Sequence, residues 1–331
     1  MHPARTLTLL AAAILGISAC AHVPVVNERQ LLQEAAGTQT IRVYGTHGPL
    51  STRQARRVLA RVAAQAPDAD ALDRHLAVEQ IVAEGPLYAG NSVQVLRDGA
   101  QTFPAMFRAI EGARHFVDLE YYIFQDVQCD GQHLSDLLVE KSRAGVHIRV
   151  IYDAVGSLGN PAPFLSRLRD AGVKLVEYNP INPLRAAGHY SPNDRDHRKI
   201  LVADDEVAIV GGVNLSTTYE SAPSFARGSG DGPPPASAHP GWHDLDLEIR
   251  GPVVPQLAKL FRQHWREQKG PALEPDDAPE QRARDKQIVR VIGSSPAKLA
   301  TRYYATVLTA IRTAQSSVWM TAAYFVPTHQ E

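Results

Sequence analysis

The most informative stretch of this 331-residue chain is His197-Arg-Lys-Ile-Leu-Val-Ala-Asp204, which is followed by Gly211-Gly212-Val213-Asn214. Its apolar centre predicts a buried strand, and alternation along a strand places His197 and Lys199 on the same face. The glycine pair allows another backbone or a phosphate to approach closely, and Asn214 can donate a hydrogen bond to an oxyanion. The stretch therefore predicts a phosphate-handling site on a sheet.

The composition indicates a nearly neutral globular protein. The chain has 34 Lys plus Arg against 35 Asp plus Glu, and it is 44% hydrophobic and 21% charged. This length allows one large or two ordinary domains, and the charge balance argues against a nucleic-acid-binding protein. Only seven basic residues are Lys, so Lys199 belongs to a small set.

Strands and helices alternate through the region before the motif. Period-2 and helical patterns predict strands at 92–97, 117–124, 146–153 and 173–178, and helices at 102–113, 131–144 and 162–171. Such alternation predicts an α/β fold in which helices flank a mixed sheet, and ligands of such sheets bind at the carboxyl ends of the strands.

A helix–strand unit occurs twice. The segment 107–117 and its following strand match 308–318 at a constant offset of 201 residues, with Ala109, Ile110 and Ala113 recurring as Ala310, Ile311 and Ala314. Such self-similarity predicts two related domains, of which the second copy is only beginning.

The pattern H-x-K-x4-D followed by G-G-x-N resembles the signature of the phospholipase D superfamily, and its setting resembles the cardiolipin synthase branch. The resemblance extends from about Leu87 to the end of the chain. It includes L-E-Y-Y-I-F at 119–124, D-A-V-G-S at 153–157, R-D-H-R-K-I at 195–200, W-H-D at 242–244 and F-R-Q-H-W at 261–265. It implies a phospholipase D-like fold and phosphodiester chemistry.

That chemistry gives the principal site residues their expected roles. A neutral His197 imidazole can attack phosphorus and form a phosphohistidine. Lys199 and Asn214 can stabilise the charge on the nonbridging oxygens, so neither a metal nor another cofactor is required. The resemblance implies that Asp244 orients His197, and Asp246 on the same strand face is the alternative.

Several further residues are expected to line the site. Asp204 is expected to anchor the strand–turn geometry in the active-site wall and to tune Lys199. Gly211 and Gly212 are predicted substrate-binding residues, and Glu120 in the L-E-Y-Y strand is a pocket candidate whose alternative is a buried structural acid. No recognised metal-ligand spacing occurs among the acidic residues and histidines that precede the motif.

The amino-terminal sequence is typical of a secreted lipoprotein. An eleven-residue apolar run at 7–17 precedes Ile17-Ser18-Ala19-Cys20, which resembles the lipobox of bacterial lipoproteins. We therefore expect Cys20 to be lipidated and to hold the protein in the cell envelope, facing the periplasm, with Ala21 favouring the outer membrane. The alternative is an ordinary signal peptide. Cys129 would then be the only remaining thiol.

The predicted layout has six parts. These are a lipoprotein signal peptide (1–19), a tether (20–50), an N-terminal helical segment (51–85), a complete phospholipase D-like domain (86–269), a linker (270–285) and the incomplete start of a second such domain (286–331). In the family, the leaving group is protonated by the histidine of a second motif, which the offset would place near position 398. We therefore expect a truncated sequence, and a homodimer that pairs two copies of His197 is the alternative.

The resemblance implies a phosphatidyltransferase of the cardiolipin synthase type, which transfers a phosphatidyl group to phosphatidylglycerol through His197. Its expected partners are phospholipid substrates and the membrane, with no nucleic acid. Two alternatives stay open: a phospholipase D that uses water as acceptor, and a catalytically inactive envelope lipoprotein that binds lipid or a protein partner.

Overall fold

The computed structural model describes residues 40–66, 69–83, 85–185, 194–219, 242–273, 281–294 and 302–322. The helices in these ranges are α1 (Thr52–Ala63), α2 (Ala69–Ala83), α3 (Asp98–Gly112), α4 (Leu134–Arg143), α5 (Ala162–Asp170), α6 (Val254–Glu267) and α7 (Arg302–Thr313). The long strands are β3 (Leu87–Arg97), β4 (Phe116–Tyr121), β7 (His147–Asp153), β8 (Lys174–Tyr178), β9 (Lys199–Ala203), β10 (Val207–Gly211) and β11 (Leu245–Arg250). The short strands are β1 (Val43–Gly45), β2 (Gly48–Pro49), β5 (Gln128–Cys129), β6 (Gln132–His133) and β12 (Gln287–Val289).

One large mixed sheet dominates the described residues. Its strand order is β2-β1-β3-β11-β10-β9-β4-β7-β8, and β12 pairs with β3 outside this path. Strands β4, β7 and β8 run parallel to one another, whereas β9 runs antiparallel to β4, with Tyr121 opposite Lys199. The amino end of β9 therefore lies at the carboxyl ends of β4 and β7, which is the edge where α/β sheets bind ligands.

Helices cover both faces of this sheet. On one face, α3, α4 and α5 pack over a large core that includes Leu119, Tyr121, Leu201 and Ile209. On the other face, α6 packs against Ile200, Val202 and neighbouring apolar residues of the sheet. Because alternate residues of a strand point to opposite faces, β9 contributes to both cores. The predicted α/β fold with a mixed sheet flanked by helices is confirmed.

The predicted elements between 92 and 178 all occur, with shifts of a few residues at their ends. Strand β3 starts at Leu87 rather than 92, and α3 starts at Asp98 rather than 102. The helix predicted from 131 starts at Leu134, because the preceding residues form the small β5–β6 hairpin. Strand β4 ends at Tyr121, so the next three residues leave the sheet near the site.

The carboxyl-terminal region differs from the predicted layout. Strand β12, which lies after the predicted boundary at 286, pairs with β3 of the first sheet. Helix α7 ends at Thr313, which corresponds to the last residue of α3, Gly112, at the repeat offset of 201. The described residues that follow α7, 317–322, have no strand pairing. Within the described residues, the second copy of the repeat is therefore visible as a helix, and the end of its predicted strand lies outside them.

Some predictions lie outside the described residues. The signal peptide, Cys20 and most of the tether belong to this group. Within the described ranges, no helix has both the length and the apolar character needed to cross a bilayer.

Candidate active site

The predicted site residues converge at one edge of the sheet because several strands begin or end there. His197 and Lys199 lie at the start of β9, Asn214 follows β10, and Asp244 immediately precedes β11. The carboxyl ends of β4 and β7 meet the same edge. Because β9, β10 and β11 are antiparallel neighbours, the start of β9, the end of β10 and the start of β11 meet at this edge, which brings together residues up to 47 positions apart in the sequence, as Asp244 is from His197.

His197 is the exposed member of the motif. It precedes β9, and its ring lies 5.0 Å from the ring of Tyr122, measured between centroids. Partial burial, followed by the nearby Lys199 ammonium, lowers the pKa of His197 below its usual value, while the Asp153 and Asp244 carboxylates act in the opposite direction. The imidazole is therefore neutral near pH 7, which is the form that can act as a nucleophile.

Lys199 is buried directly behind His197. Its Nζ donates a hydrogen bond to the main-chain carbonyl of His197 at 2.9 Å and lies 5.5 Å from the centroid of the Tyr122 ring. Burial lowers the pKa of Lys199 to about 8, although the surrounding carboxylates, first Asp196 and then Asp244, favour its charged form. Lys199 is still mostly protonated at pH 7 and supplies a fixed positive charge beside His197.

Asn214 is held in one orientation. Its Oδ1 accepts a hydrogen bond from the Ile123 N–H at 3.1 Å, and its Nδ2 lies 3.5 Å from the Tyr219 hydroxyl. The residue is buried, and Ile123 belongs to the segment that leaves β4. Asn214 therefore connects the loop after β10 to the loop after β4, and its Nδ2 is the group that could reach an anionic oxygen.

The glycine pair packs closely against two acidic side chains. A Cβ atom on Gly211 would overlap the Asp246 side chain, and a Cβ atom on Gly212 would overlap the Asp244 carboxylate. The pair therefore leaves space for two carboxylates, that of Asp246 in β11 and that of Asp244 directly before it. The predicted close approach exists, but the group that approaches belongs to the protein itself.

The two candidate acids occupy different environments. Asp244 is half-buried, and its charge acts on both His197 and Lys199. Asp246 is buried, and its Oδ1 accepts the Val213 N–H at 3.1 Å. Burial raises the pKa of Asp246 to about 7, although the Val213 hydrogen bond acts in the opposite direction. Asp244 is accordingly the better placed partner for His197, and Asp246 lies deeper in the wall.

Asp98 is a site residue that sequence analysis missed. Its Oδ1 accepts the Asp244 N–H at 2.8 Å, its own N–H donates to the Asp244 carbonyl at 2.9 Å, and its Oδ2 lies 3.1 Å from His243 Nδ1. Asp98 has a φ of 54°, an unusual value for a residue other than glycine. The feature of the sequence that could have identified Asp98 is the R-D-G at 97–99, at the end of a predicted strand.

Asp153 holds the loop that leads to His197. Its Oδ2 accepts the Asp196 N–H at 3.0 Å, and its Oδ1 accepts the Val155 N–H at 2.8 Å. Asp153 is fully buried at the carboxyl end of β7. The sequence could have identified Asp153 as a candidate, because an acidic residue at the carboxyl end of a buried strand faces the edge of the sheet where ligands bind.

Asp204 is not placed beside Lys199. Its carboxylate accepts three main-chain hydrogen bonds, from Arg114, His115 and Phe116, at 2.6, 2.9 and 2.8 Å. Five residues of extended chain separate Asp204 from Lys199, a distance of roughly 16 Å at the rise of a β-strand. The expectation that Asp204 tunes Lys199 is therefore wrong, whereas the structure shows the expected strand–turn anchor.

Glu120 lies on the opposite face of the sheet from Lys199. Glu120 pairs with Ile200, whose side chain packs under α6, whereas Lys199 pairs with Tyr121. The Glu120 carboxylate is fully buried and contacts Arg198 at 3.0 Å and His264 Nδ1 at 2.9 Å. Of the two roles expected for Glu120, these contacts fit the buried structural acid and not the pocket residue, because one residue along a strand reverses the face.

The comparisons with known proteins identify the domain. Residues 106–222 match the family described as "Cardiolipin synthase, PLD-like domain". The chain is 32% identical over 253 residues to a cardiolipin synthase from Geobacillus sp., and these cover 74% of this chain and 46% of that protein. It is 33% identical over 242 residues to cardiolipin synthase A of Pseudomonas aeruginosa, covering 73% and 46%. The match thus spans about half the length of these relatives.

Among solved structures, the chain is similar to a phospholipase D family member, Nuc from Salmonella typhimurium. That likeness has a TM-score of 0.37 and 17% identity, and it covers 57% of this chain and 99% of that one. The residues 197–214 that form the centre of the site lie inside the matched range 106–222. Residues 106–222 are thus similar to the phospholipase D-like domain of cardiolipin synthases, and the wider chain is similar in sequence to about half the length of those proteins.

Proposed function

We propose that the protein is a phosphatidyltransferase of the cardiolipin synthase type, with His197 as its nucleophile. The observation that supports this most directly is the pair of residues at the start of β9: the imidazole of His197 is exposed, and the ammonium of Lys199 is buried next to it. A neutral nucleophile next to a fixed cation suits attack on an anionic phosphodiester, because the cation offsets the charge of the phosphate oxygens.

In the first step, one ring nitrogen of His197 attacks the phosphorus of a phospholipid. A nitrogen–phosphorus bond forms, and the bond from phosphorus to the headgroup oxygen breaks, leaving a phosphatidyl group on His197. We assign to Asp244, whose charge acts on His197, the acceptance of a hydrogen bond from the other ring nitrogen as positive charge develops on the imidazole. Lys199 and Asn214 stabilise the nonbridging oxygens of the phosphate.

In the second step, the hydroxyl of phosphatidylglycerol attacks phosphorus, and the bond to His197 breaks. A proton must reach the departing alkoxide in the first step and leave the incoming hydroxyl in the second. By resemblance, the histidine of a second motif performs both transfers. We propose that this group comes from a second phospholipase D-like half or from a second copy of this chain in a homodimer.

We also propose that the enzyme works at the bacterial cell envelope. The lipobox-like sequence at 17–20 supports attachment through lipidated Cys20, with the domain facing the periplasm. Attachment would bring a domain of near-zero net charge to its phospholipid substrates without a strong general attraction to anionic membranes. The weak preference for the outer membrane depends on Ala21 alone.

A phospholipase D activity, with water as acceptor, is the second candidate. The observation that favours it is the exposure of His197, because a phosphatidyl group on an open imidazole is accessible to water. The chemistry of the first step would be the same, and the product would be phosphatidic acid instead of cardiolipin.

The experiment that tests these proposals compares lipid products in a bacterium that lacks its own cardiolipin synthases. The wild-type chain, His197→Gln and His115→Gln are expressed at equal levels, and extracted lipids are identified by mass spectrometry. His115 is a matched control because it is an exposed histidine at the opposite end of β4 from the site. We expect cardiolipin with the wild type and the His115 variant and none with His197→Gln.

The other outcomes separate the candidates. Phosphatidic acid without cardiolipin would identify the hydrolase. Unchanged lipids in every strain, together with no phosphohistidine on His197, would contradict both enzymatic proposals and leave a lipid-binding or partner-binding lipoprotein. If activity requires dimers, mixing His197→Gln with wild-type chain should lower the specific activity more than dilution alone does.

A further inference from the structure

The two sequence neighbours of His197 are anchored on the face of the sheet opposite its active site. Asp196 is buried, and the Arg198 side chain is only 19% exposed, whereas His197 is exposed. Both neighbours join Glu120 of β4 and His264 of α6 in what we call the back-face cluster: Glu120, Asp196, Arg198 and His264. The nucleophile is therefore held from behind by groups that do not line its pocket.

Glu120 is the centre of this cluster. Its Oε1 is 3.0 Å from Arg198 Nη1 and 2.9 Å from His264 Nδ1, and Asp196 Oδ2 lies 3.6 Å from the same His264 nitrogen. Arg198 also donates through Nη2 to the Ser294 carbonyl at 2.7 Å. Arg198 is thus fixed between β4 and the segment that follows β12, and it cannot rotate without losing both contacts.

The charges of the cluster are compatible with burial. Burial and then the charge of Glu120 raise the pKa of Asp196 well above its usual value, which favours the protonated form of this carboxyl group. Although burial opposes it, the contacts with His264 and Arg198 lower the pKa of Glu120, so Glu120 is ionised. A proton on Asp196 can be shared with Glu120, and each of these residues has one buried oxygen without another hydrogen-bond partner in the described residues. The negative charge of the Glu120 carboxylate then balances the positive charge of the Arg198 guanidinium.

A metal ion explains the cluster less well. Glu120, Asp196 and His264 offer ligand atoms within 4.8 Å of one another. Glu120 Oε1, however, already contacts the Arg198 guanidinium, whose positive charge is fixed inside the cluster. A cation there would lie against a fixed positive charge in a buried environment, which is costly.

We propose that the back-face cluster is a positioning device for His197, with Glu120 as its essential charge. It fixes the residues on both sides of His197 and thereby the direction in which the imidazole leaves the sheet. This role rests on the proposed function only in taking His197 as the nucleophile. The proposal gives none of the four residues a contact with substrate, so they are positioning residues; Asp196, which also acts on the charge of Lys199, is left unchanged in the test.

The test replaces Glu120 and compares it with a matched buried acid. Asp118 lies two residues earlier on β4, on the same face, is equally buried and pairs with a buried arginine, Arg149. Glu120→Gln and Asp118→Asn should therefore lower the thermal unfolding temperature by comparable amounts, because each leaves a buried arginine without its anion. Only Glu120→Gln should change His197.

His197 itself supplies a readout that does not depend on turnover. The full chain, labelled with ¹⁵N in histidine, is titrated by NMR, and the His197 signals are assigned from their loss in His197→Gln. We expect Glu120→Gln to shift the His197 ring signals and to change its rate of modification by diethyl pyrocarbonate at least threefold. Asp118→Asn should leave both unchanged. Glu120→Asp, which keeps the charge, should restore part of the wild-type behaviour.

Arg198→Lys is the second variant, in case Glu120→Gln does not fold. It keeps the charge but cannot hold both Glu120 and the Ser294 carbonyl, and the side chain is partly exposed, so the fold should tolerate it. It should change His197 in the same direction as Glu120→Gln does. Unchanged His197 signals in both variants, equal changes in Asp118→Asn, or one equivalent of bound metal that Glu120→Gln loses would overturn the proposal. Absence of any lipid product from the wild type would instead contradict the proposed function and leave this result intact.

Discussion

Asp246→Asn tests the buried carboxylate of the active-site wall. In the folded protein, burial raises the pKa of Asp246 to about 7 from the model-peptide value of 3.8. The sign follows from where the proton is held. As the pH rises from about 4, the unfolded chain loses its Asp246 proton first, and the folded chain keeps it until about pH 7. The ionised form is thus disfavoured by folding, and the carboxylate increasingly destabilises the protein between these values.

The magnitude follows from the two pKa values. Between pH 5 and pH 8, the wild type should lose about 3 kcal/mol of unfolding free energy through this one group, since each pKa unit corresponds to roughly 1.4 kcal/mol. Asp246→Asn keeps an oxygen that can accept the Val213 N–H. Its amide nitrogen would take the position of the wild-type Oδ2, which has no hydrogen-bond partner in the described part of the chain, so a polar group would be buried without a partner. That cost, about 1–3 kcal/mol, applies at both pH values, so only the pH-dependent part is diagnostic.

The assay is urea unfolding of the full chain at pH 5 and pH 8. Glu248→Gln serves as the control, because Glu248 lies on the same strand but forms a partly exposed ion pair with Arg250, which is worth little. We expect the wild type and Glu248→Gln to weaken from pH 5 to pH 8 by about 3 kcal/mol more than Asp246→Asn does. The reasoning is refuted if Asp246→Asn and the wild type show the same difference between the two pH values.

Three further predictions concern the same site. Turnover should rise with pH through a pKa below 6.5, because His197 becomes neutral there. It should fall above about pH 8, because Lys199 loses its charge. A turnover rate that still rises at pH 9 would contradict the roles assigned to these two residues. Gly212→Ala should displace the Asp244 carboxylate and lower kcat about 10²-fold with little change in unfolding temperature, measured by lipid assay and calorimetry. Asp204→Asn should cost about 2 kcal/mol of stability, because an amide cannot accept all three main-chain N–H groups. The pH profile of its remaining activity should match the wild type, and a shifted alkaline limb would restore a role for Asp204 in tuning Lys199.

Two residues show how far residue spacing alone can locate a site. Both Glu120 and Asp204 lie in or next to strands that form the site, and both were expected in its wall. The strand register places Glu120 under α6, and the turn after β9 directs Asp204 to the main chain that precedes β4. Proximity to a motif in the sequence identifies the strand on which a residue lies. A shift of one residue along that strand, however, moves the side chain to the opposite face of the sheet, and a shift of five residues reaches the other end of the strand.

The residues that were missed illustrate the complementary limit. Asp98 and Asp153 hold Asp244 and the loop before His197 through hydrogen bonds across 146 and 43 positions. Although Asp153 begins the D-A-V-G-S stretch, no spacing marked either acid as a site residue, because an acid that binds main-chain N–H groups has no required spacing from the nucleophile. Only the assembled edge of the sheet shows which acids serve this purpose.

The sequence by itself determined the α/β pattern and the order of the elements from 92 to 178, because hydrophobic periodicity is a local property. It also determined the identity of the motif, because the spacing of His197, Lys199 and Asn214 is fixed along the chain. The tertiary structure alone decided which acids face His197, that the glycine pair makes room for Asp244 and Asp246, and that β12 joins the first sheet. These features depend on register and on contacts between distant strands. Many different sequences satisfy such contacts, so they leave no fixed local pattern to read.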